Sequence, residues 1–398
     1  MVLEALRFAA GGAAGTATDA DAIAGVPARY VARPSSTVDS AAVLRVAAAR
    51  DLTVVVRGAG TKQDWGMPPR RLDLILDTGR LTGVVEHAAG DLIAVVRAGT
   101  TVEELAGKLA VAGQQLALDT PLSGATVGGT VATATSGPRR LLYGTVRDLL
   151  IGITVVRADG VVARAGGKVV KNVAGYDLGK LLTGSYGTLG LITECVFRLH
   201  PVPAATAYVS RPVDGPQELG RLAAAIRGAQ VVPSALEVDA PPDRPMTLVV
   251  ELDGVPGGVR QRADAVAGIL GGATVFGTPP GWWARYPWAP GEIGLKLTGA
   301  LSRIPALLSA ARGYTVRGSV GTGVLYAALP AAEADAVTPL RGAATRAGGH
   351  AVVLTAPPPV RDRLDLWGPV EGLALMRRVK AQFDPEGRLA PGRFVGGI

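Results

Sequence analysis

The segment Asp119–Arg140 reads DTPLSGATVGGTVATATSGPRR. Between Thr120 and Pro138 it carries no charged side chain, yet its Gly, Thr and Ser content is too high for a membrane span. What it offers is exposed backbone. Gly124, Gly128, Gly129 and Gly137 allow close approach of the main chain to a ligand, with the hydroxyls of Ser123, Thr126, Thr133 and Ser136 between them. After Ala125, also a candidate cofactor contact, the run Thr126-Val127-Gly128-Gly129-Thr130 is expected to open a helix whose first N–H groups lack internal partners and suit phosphate oxygens. Glycines cluster in ordinary turns as well, so this segment alone leaves both readings open.

Two further segments add to it. Val54-Val55-Val56 is a β-branched run that leads into Arg57-Gly58-Ala59-Gly60-Thr61-Lys62, a glycine loop beside a cation. The other places Lys171, Asn172, Gly175 and Tyr176 ahead of Gly184, Gly187 and Gly190, with Ile192 opening a strand. The first loop lacks the third glycine of a dinucleotide fingerprint, and Gly166-Gly167-Lys168 is followed by Val, so no Walker loop is present.

In this order and spacing the three segments resemble the FAD-binding domain of the vanillyl-alcohol oxidase or p-cresol methylhydroxylase (PCMH) family. SGPRR with the following VRDLLIGITVVRADG, and KVVKNVAGYDLGKLLTGSYGTLGLI, resemble more narrowly the E subunits of bacterial glycolate oxidases. The resemblance covers residues 27 to 203 and returns in the tail, FDPEGRLAPGRF. It implies FAD as cofactor, held by the three glycine segments, with the Ile192 backbone at the adenine edge. Some family members carry in the first loop a histidine bonded to the flavin; Thr61 stands at that place, so the FAD is expected to be non-covalent. Relatives usually have Asn before the Pro-Gly of the tail, where this chain has Ala390.

With 398 residues, 48% hydrophobic and 19% charged, the chain has enough apolar material for two cores. The formal net charge of +8 is spread along the sequence without a basic run, which disfavours a nucleic-acid partner and suits an anionic cofactor and a carboxylate substrate. Cys195 is the only cysteine, so neither an internal disulfide nor a conventional iron–sulfur cluster can form within this chain. It sits in an apolar strand pattern and is expected to be a buried, inert thiol. Met1–Gly12 lacks a basic start followed by a long apolar run, and no transmembrane segment is expected; the simplest reading is a cytoplasmic protein.

The expected fold class is α+β: a two-subdomain PCMH-type FAD-binding domain, then a cap domain with an antiparallel sheet. The expected boundaries are a loose lead-in at 1–26, the FAD-binding domain at 27–203, the cap at 204–380 and a returning tail at 381–398. Within the cap, strands and helices follow the order β-α-β-β-α-β twice, which can build one antiparallel sheet with helices on a face. Between the copies lies GWWARYPW, Gly281–Trp288. It reads first as a domain or subunit contact, with an aromatic wall carrying Arg285 for a carboxylate, or ordinary core, as alternatives.

Oxidation of a 2-hydroxy acid needs a base near neutral pKa, usually histidine. The three histidines, His87, His200 and His350, are isolated in sequence and read as structural, and no metal site is expected. Catalytic subunits of related dehydrogenases carry histidine clusters in the cap. Their absence here implies an FAD-binding subunit that works with a catalytic flavoprotein subunit and an iron–sulfur subunit. Two alternatives are an autonomous FAD oxidoreductase for a hydroxy acid, sugar or lactone, with Arg285, Lys296 or Tyr286 near the substrate, and a non-catalytic structural subunit.

Overall fold

The strand Val54–Arg57 lies in a four-stranded sheet, ordered Ala14–Thr16, Tyr30–Ala32, Leu74–Asp77, Val54–Arg57. The last three strands run parallel, as their apolar residues require for burial on both faces. The structure is a computed structural model that describes residues 1–168 and 176–398. A five-stranded antiparallel sheet follows, ordered Val162–Gly166, Leu150–Val156, Leu191–Arg198, Ile93–Arg97, Val84–Ala88. Cys195 is fully buried in its third strand, and burial pushes its thiol pKa up. The helix Thr37–Ala49 starts at Ser36, whose hydroxyl accepts from the Asp39 N–H at 3.0 Å. The helix Val102–Ala110 is capped in the same way by Thr101.

Residues 1–136, 145–202 and 370–398 form one compact unit, and 137–144 with 203–369 form a second. These limits differ from the expected boundaries in three places. The first residues are no loose lead-in, because Val2–Ala9 is a helix whose Leu6 and Ala9 are buried in the same cluster as Val43 and Leu44. Its buried stripe is short, Leu6 and Ala9 with Ala10 and the partly buried Val2, too few positions to show a period in sequence. Residues 370–380 belong to the first unit, where Lys380 ties the tail. Its ammonium donates to Thr188 O (2.7 Å), Leu389 O (2.9 Å) and Asp384 Oδ2 (2.6 Å). Residues 137–144 leave the glycine segment to join the second unit.

The tail extends the parallel sheet. Val54 N–H donates to Arg388 O and Ala390 N–H to Val54 O, both at 2.8 Å. Ala390 has φ +46°, in the left-handed region. That conformation explains why relatives carry Asn there, since Asn adopts it at lower cost than Ala.

The second unit is an eight-stranded antiparallel sheet. Each β-α-β-β-α-β copy supplies four strands in the spatial order 4-1-3-2. The copies meet where Ala235–Ala240 pairs with Thr315–Ser319, second strand to second strand, as a pseudo-twofold demands. Helices Pro216–Gly228, Pro256–Leu270, Ile304–Ala310 and Val337–Arg346 bury Leu219, Val266, Leu307 and Leu340. Gly220 permits one close contact between helices, since a Cβ there would lie 2.5 Å from Pro305.

Strand alternation places Leu236, Val238, Val250 and Leu252 on one face and Glu237, Asp239, Glu251 and Asp253 on the other. All four carboxylate residues are buried. The GWWARYPW segment belongs to this unit. Trp283 meets Tyr208 edge-on at 5.3 Å, and Tyr286 stacks on Trp288 at 4.3 Å. Arg285 is exposed. Among the described residues no helix is long and apolar enough to cross a membrane.

Candidate functional site: a main-chain cradle

The strand Val54–Arg57 delivers Gly58–Lys62 to the rim of a cavity in the first unit. Gly58, Ala59, Gly60, Thr61 and Lys62 line it from one side, and Thr126, Gly128, Gly129 and Thr133 from another. Gly187, Gly190 and Ile192 close a third. The three sequence segments therefore converge on one space.

The glycines do different work. A Cβ at Gly58 would sit 2.4 Å from Thr126 Oγ1, and one at Gly128 would sit 2.7 Å from the Ala98 Cβ. These two serve contact between one stretch of chain and another. Gly60 and Gly187 have open space and φ of +80° and +74°, so what they supply is the turn itself.

The expectation of free N–H groups at the helix Val127–Ala132 is overturned. Val127 N–H donates to Thr100 O and Gly128 N–H to Ala98 O, both at 2.8 Å. Gly129 N–H donates to the capping Thr126 hydroxyl at 3.2 Å. The available donors are instead in the first loop. The N–H groups of Ala59, Gly60, Thr61 and Lys62 meet no acceptor among the described residues.

Lys62 stands beside them, 8% exposed, 3.4 Å from the Thr61 hydroxyl and without an ion-pair partner among the described residues. Burial lowers its pKa to about 8, with Glu103 acting weakly in the opposite direction. A buried ammonium beside unpaired N–H groups on a cavity wall suits an anionic ligand. Those features fit the pyrophosphate of a dinucleotide.

Arg57, expected as the cation of this cradle, is used elsewhere. Its Nη2 donates to Asp21 and Asp77, both at 2.9 Å, and it does not line the cavity. Of the other expected residues, Ala125 and Val127 are core. Ser123 is exposed, and Gly124 N–H donates to Glu103. Ser136 accepts from the Val146 N–H. Gly137 lies in the second unit, and Tyr176 is 95% exposed. Lys171, Asn172 and Gly175 lie outside the described residues.

Sequence reasoning missed Tyr186 and Arg393, both on the cavity wall. Tyr186 sits between glycines already singled out, and its ring packs at 5.2 Å from Phe394. Arg393 is 4% exposed and donates to Gln63 O (2.9 Å) and Trp65 O (2.7 Å), fastening the tail to the first loop. The Arg in the closing motif was its only sequence signal.

Residues 28–166 match the FAD binding domain family, and residues 365–394 match the C-terminal domain of FAD linked oxidases. The chain therefore carries an FAD binding domain and part of a C-terminal domain of FAD linked oxidases, and its cofactor is FAD. It is 36% identical over 172 residues to glycolate oxidase subunit GlcE of Escherichia coli, covering 43% of this chain and 49% of the relative. It is 36% identical over 171 residues to a D-lactate dehydrogenase of Archaeoglobus fulgidus, covering 43% of this chain and 38% of the relative. The chain thus spans half or less of these relatives. The 4-ethylphenol oxidase of Gulosibacter chungangensis shares its fold, with a TM-score of 0.72 over 98% of this chain and 96% of that one at 14% identity.

Proposed function

We propose that this chain is the FAD-binding subunit of a glycolate oxidase-like dehydrogenase of 2-hydroxy acids, working with a catalytic flavoprotein subunit and an iron–sulfur subunit. The observation that carries the flavin part is the first loop, where four unpaired N–H groups flank the buried Lys62 ammonium. The subunit role is supported by the likeness to a glycolate oxidase subunit. When bound, FAD accepts the electrons of the oxidised substrate and passes them on.

In this reading the first unit, residues 1–136, 145–202 and 370–398, holds the cofactor, and the second, 137–144 with 203–369, serves the substrate or an interface. Ala59, Gly60, Thr61 and Lys62 take the pyrophosphate, and Gly128, Gly190 and Ile192 carry the rest of the cofactor between main-chain walls. Tyr186 and Arg393 close the wall and exclude water. No covalent bond to flavin forms at Thr61, so denaturing precipitation should release all of the yellow colour into the supernatant.

The deciding experiment is an absorption spectrum of the purified chain, followed by anaerobic glycolate and D-lactate, with co-purification of partner subunits. A flavin spectrum that neither acid bleaches, with a flavoprotein and an iron–sulfur protein co-purifying, is the expected result. Bleaching of the isolated chain would replace the companion role by an autonomous oxidoreductase, a second reading favoured by the Arg140–Tyr326 contact. A colourless chain that takes up no added FAD would sink both.

A further inference from the structure

The polar face of the second unit's sheet carries more than buried carboxylates. Lys296 lies directly across from Tyr326 in one strand pairing, and Arg317 lies across from it in the next. Opposed side chains on one face stand about 4.5–5.5 Å apart at Cβ. Arg317 is already engaged, with Nε donating to Asp239 Oδ1 at 2.7 Å and Nη1 to Tyr286 O at 3.2 Å.

The segment 137–144 adds a second cation to the phenol. Arg140 Nη2 donates to Tyr326 Oη at 3.2 Å, and its Nε to Gly137 O at 2.9 Å. Tyr286 packs edge-on against Tyr326 at 4.9 Å. Trp288 lies against the strand beside Lys296, where a Cβ on Gly294 would come within 2.6 Å of its ring. Arg140, Lys296 and Tyr326 are all half-buried, and Lys296 has no ion pair among the described residues.

The charges and the phenol chemistry agree with this geometry. Two cations flank the phenol, and Glu237 is a carboxylate that acts on both Arg140 and Tyr326. Burial opposes ionisation of Tyr326, yet Arg140 and then Lys296 outweigh it and hold its pKa below the ordinary value.

We infer that Arg140, Lys296 and Tyr326 form a binding site for a small monocarboxylate with an adjacent hydroxyl. The two cations hold the carboxylate, and Tyr326 Oη accepts a hydrogen bond from the hydroxyl. Tyr286 and Trp288 form the apolar wall that limits its size. This site deepens the 2-hydroxy acid reading and rests on it for the identity of the ligand.

The test is calorimetric titration of the full chain, supplied with FAD, with glycolate and with acetate, which has the carboxylate but no hydroxyl. Saturable glycolate binding is expected. Lys296→Met should weaken it about 10- to 100-fold. Tyr326→Phe should weaken glycolate about tenfold and leave acetate unchanged, a pattern that mere structural damage would not give. Far- and near-UV circular dichroism checks both folds, and either variant suffices if the other does not fold. Absence of saturable binding to the folded wild type, or equal glycolate affinity in the variants, overturns the site. A yellow chain with variant-insensitive glycolate binding sinks the site and keeps the flavin reading. A colourless chain with Lys296-dependent binding does the reverse.

Discussion

In the first unit the cavity is shaped by backbone, because Gly58 and Gly128 let neighbouring stretches of chain close on each other and Gly60 and Gly187 supply the turns. In the second unit the sheet face is almost entirely side chain, with Glu237, Asp239, Lys296, Arg317 and Tyr326 projecting from strands whose other face is hydrocarbon. The first arrangement gives little chemistry and much shape, which suits a large cofactor that brings its own reactivity. The second gives charge and proton affinity, which suits recognition of a small, polar molecule. Substitutions should therefore act oppositely, with added atoms damaging the first region and removed charges damaging the second.

The largest effect expected tests whether a main-chain wall stands without side-chain fastening. Lys380→Met would leave Asp384 buried with its ammonium partner gone and two carbonyls unpaired. About 3–5 kcal/mol of stability should be lost, read by urea unfolding. A loss below about 1 kcal/mol would mean that the tail holds by sheet pairing alone.

Next comes the wall itself. Gly58→Ala drives a methyl into Thr126 and should cost about 1–3 kcal/mol with a matching loss of FAD retention. Gly60→Ala meets open space and costs only its left-handed turn, about 1–2 kcal/mol. Retention of FAD after gel filtration compares the two; undiminished binding in Gly58→Ala would break the contrast with the side-chain site.

Lys62 is the exception that sharpens the comparison, as one side chain with a charge role in the cradle. Its ammonium is present below about pH 8 and is lost above it. FAD affinity should therefore be full at pH 7 and fall as pH rises through that value, because the attraction to the phosphates goes with the proton. Lys62→Met should bind FAD about tenfold more weakly at pH 7 and lose that pH dependence, measured by flavin fluorescence. A wild-type affinity flat from pH 7 to 9.5 would remove Lys62 from the site.

The smallest effect lies on the polar face of the second unit's sheet. Tyr143 donates to Asp253 Oδ2 at 3.3 Å, and burial with that carboxylate raises the phenol pKa to about 12. A phenol raised above its unfolded value near 10 favours the folded state below that pH. Stability should then decline between about pH 10 and 12, and Tyr143→Phe should flatten that limb of the melting-temperature curve.

The sequence showed backbone requirements better than it showed charge partners. The three glycine segments were legible because glycine has few other reasons to recur at such spacing, and the doubled β-α-β-β-α-β order followed from period alone. Arg57 was misplaced because its partners, Asp21 and Asp77, lie in other strands and loops, and no local pattern announces a pair across 36 and 20 residues. The helix at Val127 looked open-ended because sequence cannot say that Thr100 and Ala98 carbonyls fill its first positions. The polar sheet face did have a signal. Glu237 and Asp239, like Glu251 and Asp253, repeat every second residue between apolar ones, the mark of a strand with two unlike faces. The departure of residues 137–144 to the second unit had none, since Arg139-Arg140-Leu141-Leu142 reads as any short helical turn.

The bonds from Arg393 to Gln63 O and Trp65 O have a consequence in time. A ribosome makes the first loop about 330 residues before it makes the guanidinium that fastens it. At roughly 5–20 residues per second, tens of seconds separate the two events. During that interval every residue of the second unit has been made, while the flavin cavity still lacks Arg393. Cofactor capture is therefore a late step of biosynthesis, and scarcity of flavin should leave a chain whose sheet of eight strands is already complete.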